Sequence, residues 1–274
     1  MSITALKVSQ KSAAVVTGAG SGIGKSFAYE IARRGGQVIC VDIDLKAAQN
    51  TATMLKELGT KAIAYQCDVG SESAMEKLSN EAEDLLERPI TLLVNNAGVG
   101  AGGSIGEMSM KDWQWIMKVN LWGVIHGCHF FTPKLKGLGY GGIINVASAA
   151  AFAAAPEMGA YNVTKAGVLS LSETLAAELV GTGVNVTVLC PTMVPTNIIE
   201  NSRISKEDKE MGARAMEKLA FTNSDKVARQ TLSALDKGKL YMMPQIDAKI
   251  WWRVKRFAPA PYARGIGEVY KLFR

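Results

Sequence analysis

The chain has 274 residues, 48% of them hydrophobic and 20% charged, a size one α/β domain can cover and a composition far from disordered or fibrous proteins. Its net charge is +6, yet residues 240–274 hold seven Lys/Arg against two Asp/Glu, so the body is nearly neutral and a nucleic-acid groove spread across it is excluded. No run of about 18 apolar residues suits a membrane span and residues 1–10 lack a signal-peptide pattern. Cys40, Cys67, Cys128 and Cys190, without a CxxC pair, read as reduced thiols of a cytoplasmic protein.

In chain order, short β-rich runs at 13–17, 37–42, 61–65, 91–94, 142–147, 184–189 and 240–243 alternate with helical patterns at 24–34, 45–58, 72–87, 111–131, 161–180 and 225–235. Gly35, Gly59 and Gly181 are placed to stop helices. The strands are apolar on both faces, which predicts a parallel sheet covered by helices on both sides. The expected architecture is therefore a doubly wound, mostly parallel α/β sheet in a single domain, 1–243. Residues 191–220 are irregular and polar and predict a mobile substrate flap, and 244–274 form a basic, aromatic C-terminal extension. Right-handed crossovers bring the carboxyl ends of all strands to one edge, where ligands bind.

The run 13–17 leads straight into Gly18, Ala19, Gly20, Ser21, Gly22, Ile23 and Gly24 and then a helix. Such a turn lets backbone approach a pyrophosphate while the first helical N–H groups face the anion. The spacing is GxxxGxG, not the GxGxxG of many dinucleotide-binding proteins. Asp42 ends the second strand, where its carboxylate would accept hydrogen bonds from adenosine ribose hydroxyls and repel a 2′-phosphate. Neither Ser21 nor Ile43 supplies a cation for that phosphate, so NAD is expected over NADP.

Tyr161 and Lys165 are one helical turn apart and share a face. An ammonium beside a phenol favours the phenolate, so Lys165 is expected to make Tyr161 usable for proton transfer. YxxxK alone is a weak signal and needs companions. Ser148 follows the fifth strand, where its hydroxyl would bond a substrate oxygen. Asn120 lies in a helical run, where its amide would hold a water relaying protons towards Lys165.

The glycine turn 17–24, Asn95-Asn96-Ala97-Gly98, Asn120, Ser148 and Tyr161 with Lys165, in this order and at these separations, resemble the short-chain dehydrogenase/reductase family over 11–196. The resemblance implies a Rossmann-type fold and hydride exchange between a nicotinamide dinucleotide and a secondary alcohol or ketone, without a metal, by a tetrad of Asn120, Ser148, Tyr161 and Lys165. It further implies cofactor contacts from Gly18, Ser21, Gly22, Ile23, Gly24 and Asp42. Asp68 and Val69 would line the adenine pocket, Asn95 would begin a segment that supports the central sheet and the cofactor, and Ala97 and Gly98 would stand beside the adenosine half. Tyr161 and Lys165 would meet the nicotinamide half, with Pro191, Val194 and Thr196 beside it. A homodimer or homotetramer is implied as well, built on the stretch holding Trp113, Trp115, Trp122 and Phe130. One departure is Pro191-Thr192, where the family usually has Pro-Gly.

His126 and His129 lack a third ligand and read as packing residues. The alanine-rich segment 149–155, with Met158, Cys190 and Met193, suggests an apolar pocket for a steroid-like, retinoid-like or long-chain substrate. The competing readings are an NADPH-dependent ketoreductase of small or carrier-bound carbonyls and a non-catalytic NAD-binding scaffold. Trp251, Trp252, Arg253, Lys255, Arg256 and Phe257 combine aromatic and cationic residues as peripheral membrane segments do. A tail packed on its neighbour fits the same residues.

Overall fold

Strand β1 (Ala13–Thr17) is buried along its whole length, as a strand with no polar face must be. The computed structural model describes residues 7–219 and 222–272, with backbone alone for 208, 211 and 215–219. Around β1 stand β2 (Gln37–Asp42), β3 (Ala62–Gln66), β4 (Leu92–Asn95), β5 (Gly141–Val146), β6 (Val184–Leu189) and β7 (Tyr241–Met242). They form one seven-stranded sheet in the order β3-β2-β1-β4-β5-β6-β7. Every pair is parallel, with Val15 opposite both Ile39 and Leu93. The strands expected at 61–65, 91–94 and 142–147 each sit one residue away from their observed bounds, and 240–243 shortens to two residues.

The period of two divides the core into two layers. Val15, Ile39, Leu93, Ile143 and Val188 face one way, against α3 (Glu72–Leu86), α5 (Gly123–Leu138) and α7 (Gly159–Glu178). Val16, Val38, Leu92, Val94 and Ile144 face the other way, against α1 (Gly22–Arg33), α2 (Leu45–Glu57) and α9 (Ser224–Leu235). Each Val, Ile or Leu fully removed from water contributes about 1.5–3 kcal/mol. Caps set the helix starts: the Asp44 carboxylate accepts from the Lys46 and Ala47 N–H groups, and Asn223 accepts from Lys226. Gly35, Gly59 and Gly181 follow α1, α2 and α7 with φ of +77°, +78° and +81°, where glycine escapes the Cβ penalty.

Three expectations are corrected. The helical stretch expected over 111–131 begins earlier and ends later, as α4 (Met110–Met117), a π-helical turn Lys118–Trp122 and then α5, which continues through Pro133 to Leu138. Phe131 and Leu135, both fully buried, hold the turns on either side of the proline. The flap is irregular only to residue 205, because α8 (Lys206–Leu219) follows. Its composition of Lys, Glu, Ala and Met favours helix, and its density of charge is what made the stretch read as a polar loop.

The third correction concerns the C-terminus, which is not an extension beside the domain. After the short α6 (Ala150–Ala153), α10 (Ile246–Phe257) and α11 (Pro259–Leu272) fold against the same body. Ala248 is fully buried, Trp252 packs on Tyr241 at 5.7 Å between ring centroids, and the Tyr262 hydroxyl donates to the Ala153 carbonyl at 3.1 Å. Among the described residues no helix is long and apolar enough to cross a membrane.

Candidate active site

The strand order reverses between β1 and β4, and a cleft of about 400 Å³ opens above the carboxyl ends of these strands and their neighbours. One end is the glycine turn. Gly18 and Gly22 have φ of +63° and +52°. A Cβ would stand 2.9 Å from the Ala97 Cα at Gly18 and 2.9 Å from the Thr196 methyl at Gly22. These two positions keep a cradle open that side chains would fill. Gly24 does something different: a Cβ there would be 2.1 Å from the Gly18 carbonyl oxygen, so this glycine lets α1 start directly under the turn and does not line the cleft.

Asp42 closes that end. Its carboxylate accepts from the Gly20 N–H at 2.9 Å and the Asp44 N–H at 3.1 Å, which fixes it against the turn. A carboxylate has about four acceptor positions, so capacity remains for hydroxyl donors in the cleft. Asp68 and Val69 line the adjoining wall, where the Asp68 carboxylate pairs with the Lys118 ammonium at 2.7 Å. Ser21, Ile23, Ala97 and Gly98 also line the cleft. The residues present thus fit a dinucleotide: a Cβ-free cradle, a helix N-terminus and an acid held in place beside them.

Asn95 is placed outside the cleft. Alternation along β4 turns it onto the α5 side, where its amide donates to the Asn145 side chain at 2.9 Å. The next residue takes the role of supporting the turn. The Asn96 amide donates to the carbonyls of Thr17 at 2.8 Å and Gly18 at 3.2 Å, and the Asn96 and Ala97 N–H groups donate to the Thr17 hydroxyl. The signal for Asn96 was the period of two, which forbids both asparagines from facing the same way.

At the other end α7 presents Tyr161 and Lys165 on one face, and Ser148 follows β5. The Ser148 hydroxyl is hydrogen-bonded to the Tyr161 phenol and accepts from the Ala150 N–H at 3.1 Å. The Lys165 ammonium donates to the Val146 carbonyl at 2.9 Å and lies 5.6 Å from the centre of the Tyr161 ring. Burial pushes the Tyr161 phenol above its ordinary value, and the Ser148 hydrogen bond pulls it partly back. Burial also brings Lys165 down to about 8, against the opposing influence of Cys190. The expected lowering of the phenol by Lys165 is therefore corrected. The ammonium is hydrogen-bonded to a backbone carbonyl, and burial of the phenol outweighs the field of the nearby charge.

Asn120 is fully buried in the π-helical turn. Its side-chain oxygen accepts from the Val99 N–H at 2.7 Å and its amide donates to the Val99 carbonyl at 2.8 Å. A Cβ on Gly98 would lie 3.3 Å from the Asn120 oxygen and 3.5 Å from the Lys165 nitrogen, so only a bare backbone separates the two. Pro191, Val194 and Thr196 line the cleft from the segment after β6.

The apolar wall differs from the expected one. The alanine-rich segment forms α6 and packs near α10, while Met158, Cys190 and Met193 stay outside the lining. Val99, Trp115, Val119 and Ile198 form it instead. The four-residue spacing of Trp115 and Val119 is the sequence signal for that face. The Arg203 guanidinium stacks on Trp115 at 3.9 Å and pairs with Asp112 at 2.8 Å, so its charge is spent at the rim. Trp122 is exposed, and His126 Nδ1 is 3.0 Å from the Val69 carbonyl. Thr192, where the family usually has glycine, bonds the start of the C-terminal helices. Its N–H donates to the Gln245 side chain at 3.2 Å and its hydroxyl lies 3.4 Å from the Asp247 carboxylate.

A family profile described as short chain dehydrogenase matches residues 12–207. The Mycobacterium tuberculosis protein named "Probable oxidoreductase EphD" is 34% identical over 253 residues, covering 89% of this chain and 43% of that protein. The chain thus spans less than half of that relative's length. A short-chain dehydrogenase/reductase from Burkholderia phymatum, solved in complex with NAD, superposes with a TM-score of 0.86 at 32% identity, covering 91% of this chain and 94% of that one. A short-chain dehydrogenase from Sphingobium yanoikuyae, solved with NADPH, gives a TM-score of 0.77 at 25% identity, covering 92% and 94%. With the profile running from the first strand into α8 and the same fold in solved relatives, the chain belongs to the short-chain dehydrogenase/reductase family.

Proposed function

We propose that this chain uses NAD to interconvert a neutral, hydrophobic secondary alcohol and its ketone, with Tyr161 moving the proton. The observation that carries this reading is one cleft with Asp42 and the glycine turn at one end and Ser148, Tyr161 and Lys165 at the other. The turn and the N-terminus of α1 would hold the diphosphate, Asp42 the adenosine ribose, Lys165 the second ribose and Thr196 the nicotinamide amide. When bound, the nicotinamide supplies the hydride acceptor or donor. Asp42 favours NAD because a 2′-phosphate beside it would meet like charge, and Lys165, at the opposite end, is the one cation among the described lining residues.

Ser148 orients the substrate oxygen and Tyr161 gives it a proton in ketone reduction or takes one in alcohol oxidation. With burial holding the phenol protonated at neutral pH, donation is the ready direction and oxidation gains as pH rises. The lining of Val99, Trp115 and Ile198 suits an apolar carbon skeleton, and at the rim the Arg203 charge is paired with Asp112. Exposed Trp122, on the face where the family resemblance implies subunit contacts, supports a homodimer or homotetramer.

The test is steady-state kinetics over a panel of alcohols and ketones with NAD(H) and NADP(H). Apolar secondary alcohols should turn over best, with NAD preferred. Tyr161→Phe should lower kcat by roughly 10²–10⁴-fold while NADH binding, read by fluorescence, stays within a few-fold. Parental turnover by Tyr161→Phe overturns the chemistry, and better turnover of polyols overturns the substrate class.

A further inference from the structure

α10 carries its apolar stripe on the outside. Its inward face is Ala248 and Trp252, four residues apart and packed on the domain. Ile246, Ile250, Val254 and Phe257 follow one another at helical spacing on a different face, and they are 71%, 50%, 45% and 87% exposed. A helix that only covers its own domain would place these side chains inward. Lys249, Arg253 and Arg256 lie along one flank of the stripe, all exposed. The Arg256 guanidinium reaches back over the Trp252 ring at 5.1 Å, and Trp251 is exposed towards the other flank. Across residues 246–272 six cations stand against two acids, and both acids are engaged, Asp247 with the Ala248 N–H and Glu268 with Lys271.

We propose that this outer face of α10 docks on an anionic lipid surface, with Ile246, Ile250, Val254 and Phe257 entering the interfacial layer and Lys249, Arg253 and Arg256 meeting lipid phosphates. Apolar side chains flanked by cations on a helix lying flat are what such a surface takes up. Charge decides against a second copy as the occupant, because two such faces would bring their cations together. Size decides against a stable protein partner held by this face alone. A helix of 12 residues presents an outer face on the order of 18 Å by 10 Å, far short of the roughly 800 Å² per partner that stable interfaces need. The start of α10 is also tied to the cleft, since the Gln245 side chain donates to the Met193 carbonyl at 3.2 Å. Docking would therefore set the cleft rim close to the lipid headgroups.

The full chain is sedimented with vesicles of mixed phosphatidylglycerol and phosphatidylcholine and with pure phosphatidylcholine vesicles at low salt. Two paired variants accompany it, Ile250→Ser with Phe257→Ser and Lys249→Gln with Arg253→Gln, with thermal midpoints measured alongside. Binding of the parent to anionic vesicles only is expected, and each pair should lower the partition coefficient by roughly tenfold or more with its thermal midpoint unchanged. Failure of the parent to bind, or parental binding by both pairs, overturns the proposal. So does a concentration-dependent doubling of mass by light scattering that the serine pair abolishes while vesicles capture nothing. Because none of these readouts uses turnover, their result is independent of the proposed activity.

Discussion

Lys165 is buried, its ammonium donates to the Val146 carbonyl, and burial brings it down to about 8 from an ordinary lysine value of 10.5. The unfolded chain therefore binds more protons than the folded one between about pH 8 and 10.5, and stability rises with pH through that window. Below pH 8 the charged side chain costs about 3 kcal/mol relative to its uncharged form. Against Lys165→Met, which cannot charge, the parent should gain about 3 kcal/mol between pH 7 and 10.5 in urea unfolding. A difference that stays flat with pH would show that Lys165 does not titrate in this range. YxxxK marked this residue in the sequence, but its direction of titration followed from burial, which the spacing does not contain.

The approach of α5 to the sheet depends on two glycines. A Cβ at Gly123 would stand 2.7 Å from the Val69 side chain, and one at Gly127 would lie 2.0 Å from the Asn95 side-chain oxygen. Asn95 has no room to give way, because its amide is held by Asn145, which in turn donates to Ser172 at 3.0 Å. In an open helix Gly→Ala gains about 1 kcal/mol. Here the overlap outweighs that gain, and Gly127→Ala should destabilise by about 2 kcal/mol, read as a lower denaturant midpoint with unchanged slope. An unchanged or higher midpoint would mean that Asn95 can repack. At this scale most strands and helices were legible because apolar residues recur at periods of two and 3.6. The π-helical turn was not, since nothing local in Lys118–Trp122 distinguishes it from α-helix and packing around Asn120 decides it. Helix α8 was hidden for a different reason, because its charge-rich composition outweighs the few apolar positions that recur in it.

In the whole molecule, the C-terminal helices and the cleft are joined through Gln245, which bonds the Thr192 N–H and the Met193 carbonyl at 3.2 Å each. That segment also carries Val194 and Thr196 into the cleft. Gln245→Ala leaves two partly exposed backbone groups that water can satisfy, so the thermal midpoint should move little. The loop loses its tether, and KM for the nicotinamide cofactor should rise about fivefold, the worth of one hydrogen bond of about 1 kcal/mol, with kcat nearly unchanged. An equal fall in kcat with no change in KM would place Gln245 in a different role.

Residue order alone determined the doubly wound sheet, the glycine turn, Asp42 and the positions of Ser148, Tyr161 and Lys165, because local periodicity and fixed separations specify where each strand ends and which residues come directly after it. Tertiary structure decided which of Asn95 and Asn96 supports the turn, which side chains form the apolar wall, and which way α10 presents its two faces. These depend on what lies across the cleft or beneath a helix, and such neighbours are distant in sequence. The titration of Tyr161 and Lys165 belongs with them, since desolvation is a property of the surroundings and not of the residue.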